Sequence, residues 1–370
     1  EIAQCLVGSE MCIRDRICKK KGTAMHINFQ KVLNRLCRPA AVSAAAPVAQ
    51  KDFRVTAYLI GRDFQNKDVI DYSHFDQITD FILIGSADFD VNGRVLLAEN
   101  FDAVYNNIAP HIPPGKRFYL NLLGPKCTLE GGSWNARMRN QGNLHTRAFE
   151  SGKLEANTKS VLEKYGFDGV YFDYEYPINR KSWKSFNRFI VSLASVLGDK
   201  YKIGLAMSNG RFGQSKEAMA VTDFVEIMNY DVWDKAGNHS TLENANKDIR
   251  AFLKKGYARS KLGLGLPFYA RPTTQEEYWY DYKTYWNRID ENGLYSDAAT
   301  GLTFSFNTYD VIKKKVAFAL SRGLGGVMVW NYAYDAPADN PLALFNAIED
   351  GIRTVSYTHL RAHETLSDLV

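Results

Sequence analysis

Strand-like and helix-like segments alternate about eight times between residues 53 and 352, and few architectures accommodate that pattern. The runs FRVTAYLI (53–60), TDFILIGS (79–86), KRFYLNLL (116–123), DGVYFDYE (168–175), YKIGLAMS (201–208), DFVEIMNY (223–230), KLGLGLPF (261–268) and GGVMVWNY (325–332) have the length and composition of buried strands. Helices are expected over 147–165, 181–197, 242–255, 309–321 and 341–352. In 181–197, Trp183, Phe186, Phe189, Ile190 and Leu197 fall on one stripe, as in a helix packed on a sheet. Gly166, Gly256 and Gly323 stand where helices should end. Such alternation implies a parallel sheet with helices outside it, open or closed. An open doubly wound sheet calls for a glycine-rich phosphate turn after its first strand, and LIGRDFQNKD contains no G-x-G-x-x-G. We therefore expect an α/β chain forming a single (β/α)8 TIM barrel over residues 52–353.

An insertion, 271–304, separates the seventh and eighth strands. It carries Tyr278, Trp279, Tyr280, Tyr282, Tyr285 and Trp286. Rings this dense suit stacking on pyranose faces; a small satellite core under a long loop is the alternative.

Charge and cysteine are uneven along the chain. Residues 1–38 hold eight Lys or Arg against three acids, so the formal net charge of +5 resides there and the rest is neutral. A neutral body argues against nucleic acid as partner. Four of the five cysteines precede residue 38 and only Cys127 lies in the barrel region, which gives no disulfide framework and no zinc cluster. No apolar run reaches the roughly 18 residues of a membrane span. Residues 1–16 and 355–370 show no helical or strand period and resemble translated sequencing-adapter read-through, so 1–24 and 354–370 are expected to be non-native. Met25 then becomes the expected start, and 25–51 a weak signal peptide or alanine-rich linker; the former implies a secreted or periplasmic protein.

Chemistry concentrates in DGVYFDYEYP (168–177). Side chains alternate along a strand, so Tyr171, Asp173 and Glu175 share one face and Val170, Phe172 and Tyr174 the other. Barrel sites collect at the C-terminal strand ends. Those ends carry Tyr58, Asp173, Glu175, Met207, Tyr230, Asp231, Tyr269, Arg271, Trp330 and Asn331, and no histidine. A Ser/His/Asp relay or a histidine metal site is thus poorly supported, and no metal or organic cofactor is implied. Carboxylates among aromatics fit glycoside hydrolysis. Asp173 and Glu175, about 6.6 Å apart along a strand, rise from the same side of a cleft. A carboxylate nucleophile must attack from the face opposite the leaving group, so Asp173 is badly placed for that role. The substrate's own 2-acetamido oxygen is the natural nucleophile, with Asp173 orienting the acetamide N–H and Tyr230 holding its oxygen.

These segments resemble glycoside hydrolase family 18, the chitinases and their relatives. DGVYFDYEYP is similar to the family's D-G-x-D-x-D-x-E. IMNYD (227–231) is similar to its Met-x-Tyr-Asp, LGLGLPFYAR (262–271) to its L-G-x-P-F-Y-G-R, and GGVMVWNY (325–332) to its G-G-x-M-x-W. Four motifs in barrel order span residues 53–352. The resemblance implies Glu175 as general acid/base, Asp173 as the acetamide-orienting carboxylate, and Tyr230 and Asp231 as further contacts. It implies Trp330 as the floor beneath the distorted sugar. Tyr58, Tyr171, Met228 and Arg271 complete the expected substrate contacts. The implied partner is chitin or an oligosaccharide of N-acetylglucosamine. A chitin-binding lectin and an endo-β-N-acetylglucosaminidase acting on N-glycans are the alternatives.

The chain departs from the family pattern at Tyr171, where the family's second aspartate falls. Tyr171 can donate a hydrogen bond to Asp173 but cannot share a second charge, so Asp173 should ionise more easily than in relatives. Asn229 and Ala270 are minor departures. Asp168 is expected to cap its strand, Arg271 to pair with an acid at the rim or touch substrate, and Trp134 to line the cleft or anchor its loop.

Overall fold

The structure, a computed structural model, describes residues 53–175, 179–210 and 213–367, with side chains through residue 355. The expected leader and linker, 1–51, and the dipeptide Tyr176-Pro177 lie outside the described residues. Among those described, eight parallel strands close a barrel: Arg54–Ile60, Asp80–Ile84, Arg117–Leu122, Gly169–Phe172, Lys202–Met207, Phe224–Ile227, Leu262–Pro267 and Gly326–Trp330. Each falls inside one of the eight runs read from the sequence. The last pairs with the first in parallel, Arg54 opposite Gly326, so the sheet has no free edge.

Alternation sorts the strand residues into two layers. Tyr58, Ile82, Tyr119, Tyr171, Phe224 and Met328 fill the barrel, while Val170, Phe172, Ile203 and Leu205 face the surrounding helices. Bulky rings fit the interior only where a neighbouring strand yields space. A Cβ on Gly204, which pairs with Tyr171, would lie 2.5 Å from the Tyr171 ring and 2.4 Å from that of Phe224. The lower interior is polar and internally paired: Arg117 donates twice to Asp80, at 2.8 and 2.9 Å, Tyr119 donates to Asp80 at 3.0 Å, and Thr56 to Glu226 at 2.9 Å.

Helix Arg180–Leu197 buries Phe186, Phe189, Ile190, Leu193 and Leu197, the expected stripe with Trp183 at its margin. Each fully buried ring or branched side chain contributes about 1.5–3 kcal/mol. The Asn179 side chain accepts from Ser182 N–H at 2.9 Å and starts the helix. Gly166 ends its helix with φ 74°, the left-handed conformation expected there.

Two helical expectations differ from the structure. The stretch 147–165 is not one helix but the end of Trp134–Phe149 and the whole of Leu154–Tyr165. The break lies at Ser151-Gly152, where Gly152 turns left-handed at φ 66°. The last helix runs Leu344–Ser367, well past residue 352 and through a stretch in which no period was evident. Trp134 is the first residue of its helix, which Ser133 caps, and is 61% exposed. Asp168 serves structure, its carboxylate accepting Phe118 N–H at 2.7 Å across to the third strand.

The insertion forms a four-stranded antiparallel sheet from Tyr269–Pro272, Tyr280–Asp281, Leu294–Asp297 and Leu302–Ser305. Most of its rings make a satellite core: Tyr280 stacks between Tyr285, at 4.5 Å, and Phe304, at 3.9 Å. Among the described residues no helix is long and apolar enough to cross a membrane.

Candidate active site

The fourth strand ends at Phe172, and the three residues after it keep the alternation. Tyr174 turns outward, stacks on His145 at 4.7 Å and meets Phe149 and Phe186 edge-on. That anchor sends Asp173 and Glu175 the other way, into the barrel mouth. Gln141, from helix Trp134–Phe149, donates to the Glu175 carbonyl at 2.9 Å and steadies the segment.

A cavity of about 340 Å³ opens there, lined by Asp173, Glu175, Met228, Tyr230, Asp231, Tyr269, Trp279, Trp330 and Tyr334. A larger groove, about 740 Å³, runs along the outer flank of helix Arg180–Leu197, but among the described residues Glu217 is the one carboxylate lining it. The smaller cavity holds the paired acids at the C-terminal strand ends.

Asp173 is buried, and its Oδ1 has no hydrogen-bond partner among the described residues. Burial, and then the charge of nearby Glu175, push its carboxyl well above the usual carboxylate range. Tyr230 extends from the loop after the sixth strand, its ring resting where Gly265 leaves room. A Cβ on Gly265 would come within 3.0 Å of that ring and 2.4 Å of the Ile227 carbonyl oxygen. Burial and the Asp173 charge push the Tyr230 phenol well up, so it remains a neutral donor.

Asp231 sits at φ 53° and gathers several partners. Arg271 donates at 2.7 Å, Tyr269 donates its hydroxyl proton at 3.0 Å, and the Asp231 amide donates to His239 Nε2 at 2.9 Å. Burial raises the Asp231 carboxyl, but the His239 contact and the Arg271 charge outweigh it and hold the group below its ordinary value. The Arg271 guanidinium lies over Trp279 at 4.3 Å and Trp233 at 5.1 Å.

The structure brings Asp173, Glu175, Met228, Tyr230, Asp231 and Trp330 together in one cavity and places three other expected contacts, Tyr58, Tyr171 and Arg271, outside its lining. Tyr58 is fully buried beneath Trp330, whose ring it meets edge-on at 4.9 Å. Tyr171 is fully buried beside Tyr58 at 5.6 Å. Both belong one layer below the floor, because the strands place them in the closed interior. Arg271 does not line the cavity; it acts through Asp231 and Trp279. The bond expected from Tyr171 to Asp173 is not formed; the Tyr171 hydroxyl lies toward that of Tyr58 instead. Tyr269, Trp279 and Tyr334 line the cavity without having been assigned a role. Tyr269 was visible at a strand end and Trp279 in the aromatic insertion, but nothing singled out Tyr334.

Comparison with known proteins decides the family. The model of "Glycosyl hydrolases family 18" matches residues 127–335, more than half of the chain. The chain belongs to glycosyl hydrolases family 18. The family 18 chain is 26% identical over 271 residues to "Probable chitinase 2" of Drosophila melanogaster, covering 57% of this chain and 56% of that protein. It is 22% identical over 270 residues to "Endochitinase 1" of Metarhizium robertsii, covering 59% and 63%. It therefore spans less than two thirds of the length of these curated relatives. The barrel superposes on the GH18 chitinase ChiB from the chitin utilization locus of Flavobacterium johnsoniae with a TM-score of 0.64 at 24% identity, covering 81% of this chain and 94% of that one.

Proposed function

We propose that this family 18 chain hydrolyses β-1,4 linkages between N-acetylglucosamine units of chitin or chito-oligosaccharides, with retention and with the substrate's 2-acetamido group as nucleophile. One observation carries the reading. Asp173 and Glu175 line a single cavity from alternate positions of one segment, and the remaining carboxylate there, Asp231, is neutralised by Arg271 at 2.7 Å. No lining carboxylate is free to attack from the opposite face, among the described residues.

Glu175, as acid, gives its proton to the bridging oxygen while the bond to the anomeric carbon breaks. The acetamide carbonyl oxygen attacks that carbon from the far side and closes a five-membered ring. Asp173 accepts from the acetamide N–H, Tyr230 steers the acetamide oxygen, and Trp330 underlies the sugar. The positive charge developing on the acetamide offsets the reluctance of Asp173 to ionise in its buried position. Glu175, now a carboxylate, takes a proton from water, which opens the ring from the vacated side and retains configuration. Making the attack intramolecular is worth up to about 7–11 kcal/mol.

The names of the relatives, chitinase and endochitinase, support this substrate class. The weak leader-like stretch at 25–50 supports a secreted or periplasmic location. The test is release of chromophore from a chromogenic chitobioside, with the product anomer read by NMR. Wild type should release it together with the β-anomer of the sugar product, and Glu175→Gln should lose turnover yet still bind. Binding by wild type without turnover would favour a lectin. Trimming of a high-mannose glycoprotein in its place would favour the N-glycan enzyme.

A further inference from the structure

The loop from the sixth strand to helix Leu242–Lys254 carries Tyr230 and Asp231, and a lysine distant in sequence lies beneath it. Lys315, on helix Tyr309–Ser321, is fully buried. It forms no ion pair with a carboxylate among the described residues. Its Nζ donates to the Ser240 carbonyl and, at 2.8 Å, to the Ser240 hydroxyl oxygen. That hydroxyl has one proton, and it goes to the Asn229 carbonyl, adjacent to Tyr230. The chain of donors therefore runs one way, from ammonium to hydroxyl to the peptide that starts the loop.

The same two loop ends are joined twice more. Ser240 N–H donates to the Val232 carbonyl at 2.8 Å, and Asp231 N–H to His239 Nε2 at 2.9 Å. Asn229 is held again through its side chain, which donates to Asp248 at 2.7 Å. Asp231 and Ser240 both adopt φ 53°, a conformation non-glycine residues hold only when surroundings enforce it. A buried ammonium is costly to keep, and burial pushes Lys315 down to about 7. Core packing would be served as well by methionine or leucine, so the amine is there for its hydrogen bonds.

We propose that Lys315 is a positioning residue: through Ser240 it fixes the Asn229 carbonyl, and with it the Tyr230 ring in the cavity. The catalytic meaning rests on the role given above to Tyr230, but the positioning itself does not. The test uses the full chain carrying Lys315→Met, Ser240→Ala, Tyr230→Phe, and Lys315→Met combined with Tyr230→Phe. Hydrogen exchange by mass spectrometry should show peptides covering 228–241 exchanging on the order of tenfold faster in Lys315→Met, with the seventh strand unchanged. On chitobioside, kcat should fall on the order of tenfold with KM within about twofold. In the Tyr230→Phe background the same change should cost less than about twofold, because its effect runs through the Tyr230 hydroxyl that this background lacks. Should Lys315→Met fail to fold, Ser240→Ala takes its place with the same expectations. Unchanged loop exchange overturns the proposal, and so does an equal kcat loss in both backgrounds. A wild type that cleaves no chitobioside counts against the functional reading alone, and loop exchange then decides the positioning.

Discussion

Replacing Tyr171 with aspartate, the residue the family pattern has there, should move the acidic limb of the pH–rate profile upward. Tyr171 is fully buried one strand-repeat below Asp173, so a carboxylate at 171 lies about 6–7 Å from the next one along. At an effective dielectric of ~20 a like charge at that distance costs about 2.5 kcal/mol, close to two pKa units. Water at the cavity mouth and proton sharing between the acids reduce this to roughly one unit. Asp173 already lies well above the ordinary range from burial and from Glu175. A further negative neighbour makes ionisation harder, so the activity that needs its carboxylate form should disappear at higher pH than in wild type. Loss of the ring also destabilises the fold by about 3–5 kcal/mol, the usual cost of emptying a buried aromatic position. The profile must therefore be taken well below the melting temperature. Tyr171→Phe is the control. The Tyr171 hydroxyl makes no bond to Asp173 and only a weak contact with Tyr58, so its removal should leave the profile unchanged and stability within about 1 kcal/mol of wild type. The assay is kcat against pH on chitobioside, with Tm measured in parallel. Superimposable profiles for wild type and Tyr171→Asp refute the electrostatic argument. A shift in Tyr171→Phe would show instead that the hydroxyl touches Asp173.

Three further outcomes are expected. Asp173→Asn should abolish most activity yet raise Tm at pH 7. The folded-state pKa of Asp173 is raised, so its ionisation penalty grows as pH climbs above the unfolded value near about 3.9, and the gain should fade below that pH. Gly265→Ala should cost about 1–3 kcal/mol by overpacking and lower kcat more than it raises KM, since the new methyl meets the Ile227 carbonyl oxygen and the Tyr230 ring; denaturant melts and steady-state kinetics check both. Trp279→Ala should leave kcat near wild type and raise KM for longer oligosaccharides about two- to fivefold, because its ring is half exposed at the cavity wall.

The barrel was legible because its signals are local. Each strand is a short apolar run, and each boundary glycine or change of period lies within a few residues of the element it ends. The pair Asp173 and Glu175 was legible for the same reason, since i and i+2 on a strand share a face whatever surrounds them. The split at Ser151-Gly152 was signalled only by Gly152 and by a change of phase, since Ala148 and Phe149 do not continue the period of Leu154, Thr158 and Leu162. The insertion's rings could not be sorted by composition: Tyr280, Tyr285 and Phe304 pack on one another while Trp279 faces the cavity, and only the antiparallel pairing of the segment separates them.

Depth along the barrel axis belongs to closure rather than to sequence. Tyr58 and Tyr171 have the residue type and strand positions of substrate contacts, yet both are fully buried, Tyr58 against Trp330 and Tyr171 against Tyr58. Strand stagger sets how high a residue sits, and stagger is a property of eight strands together. The Asp231–Arg271 pair and the Lys315–Ser240 contact join residues 40 and 75 positions apart, each made by elements that meet only once the helices have packed. Sequence by itself determined the repeating units and the chemistry available at their ends. The tertiary structure decided which of those side chains share a cavity, because convergence depends on distances between elements that no local pattern encodes.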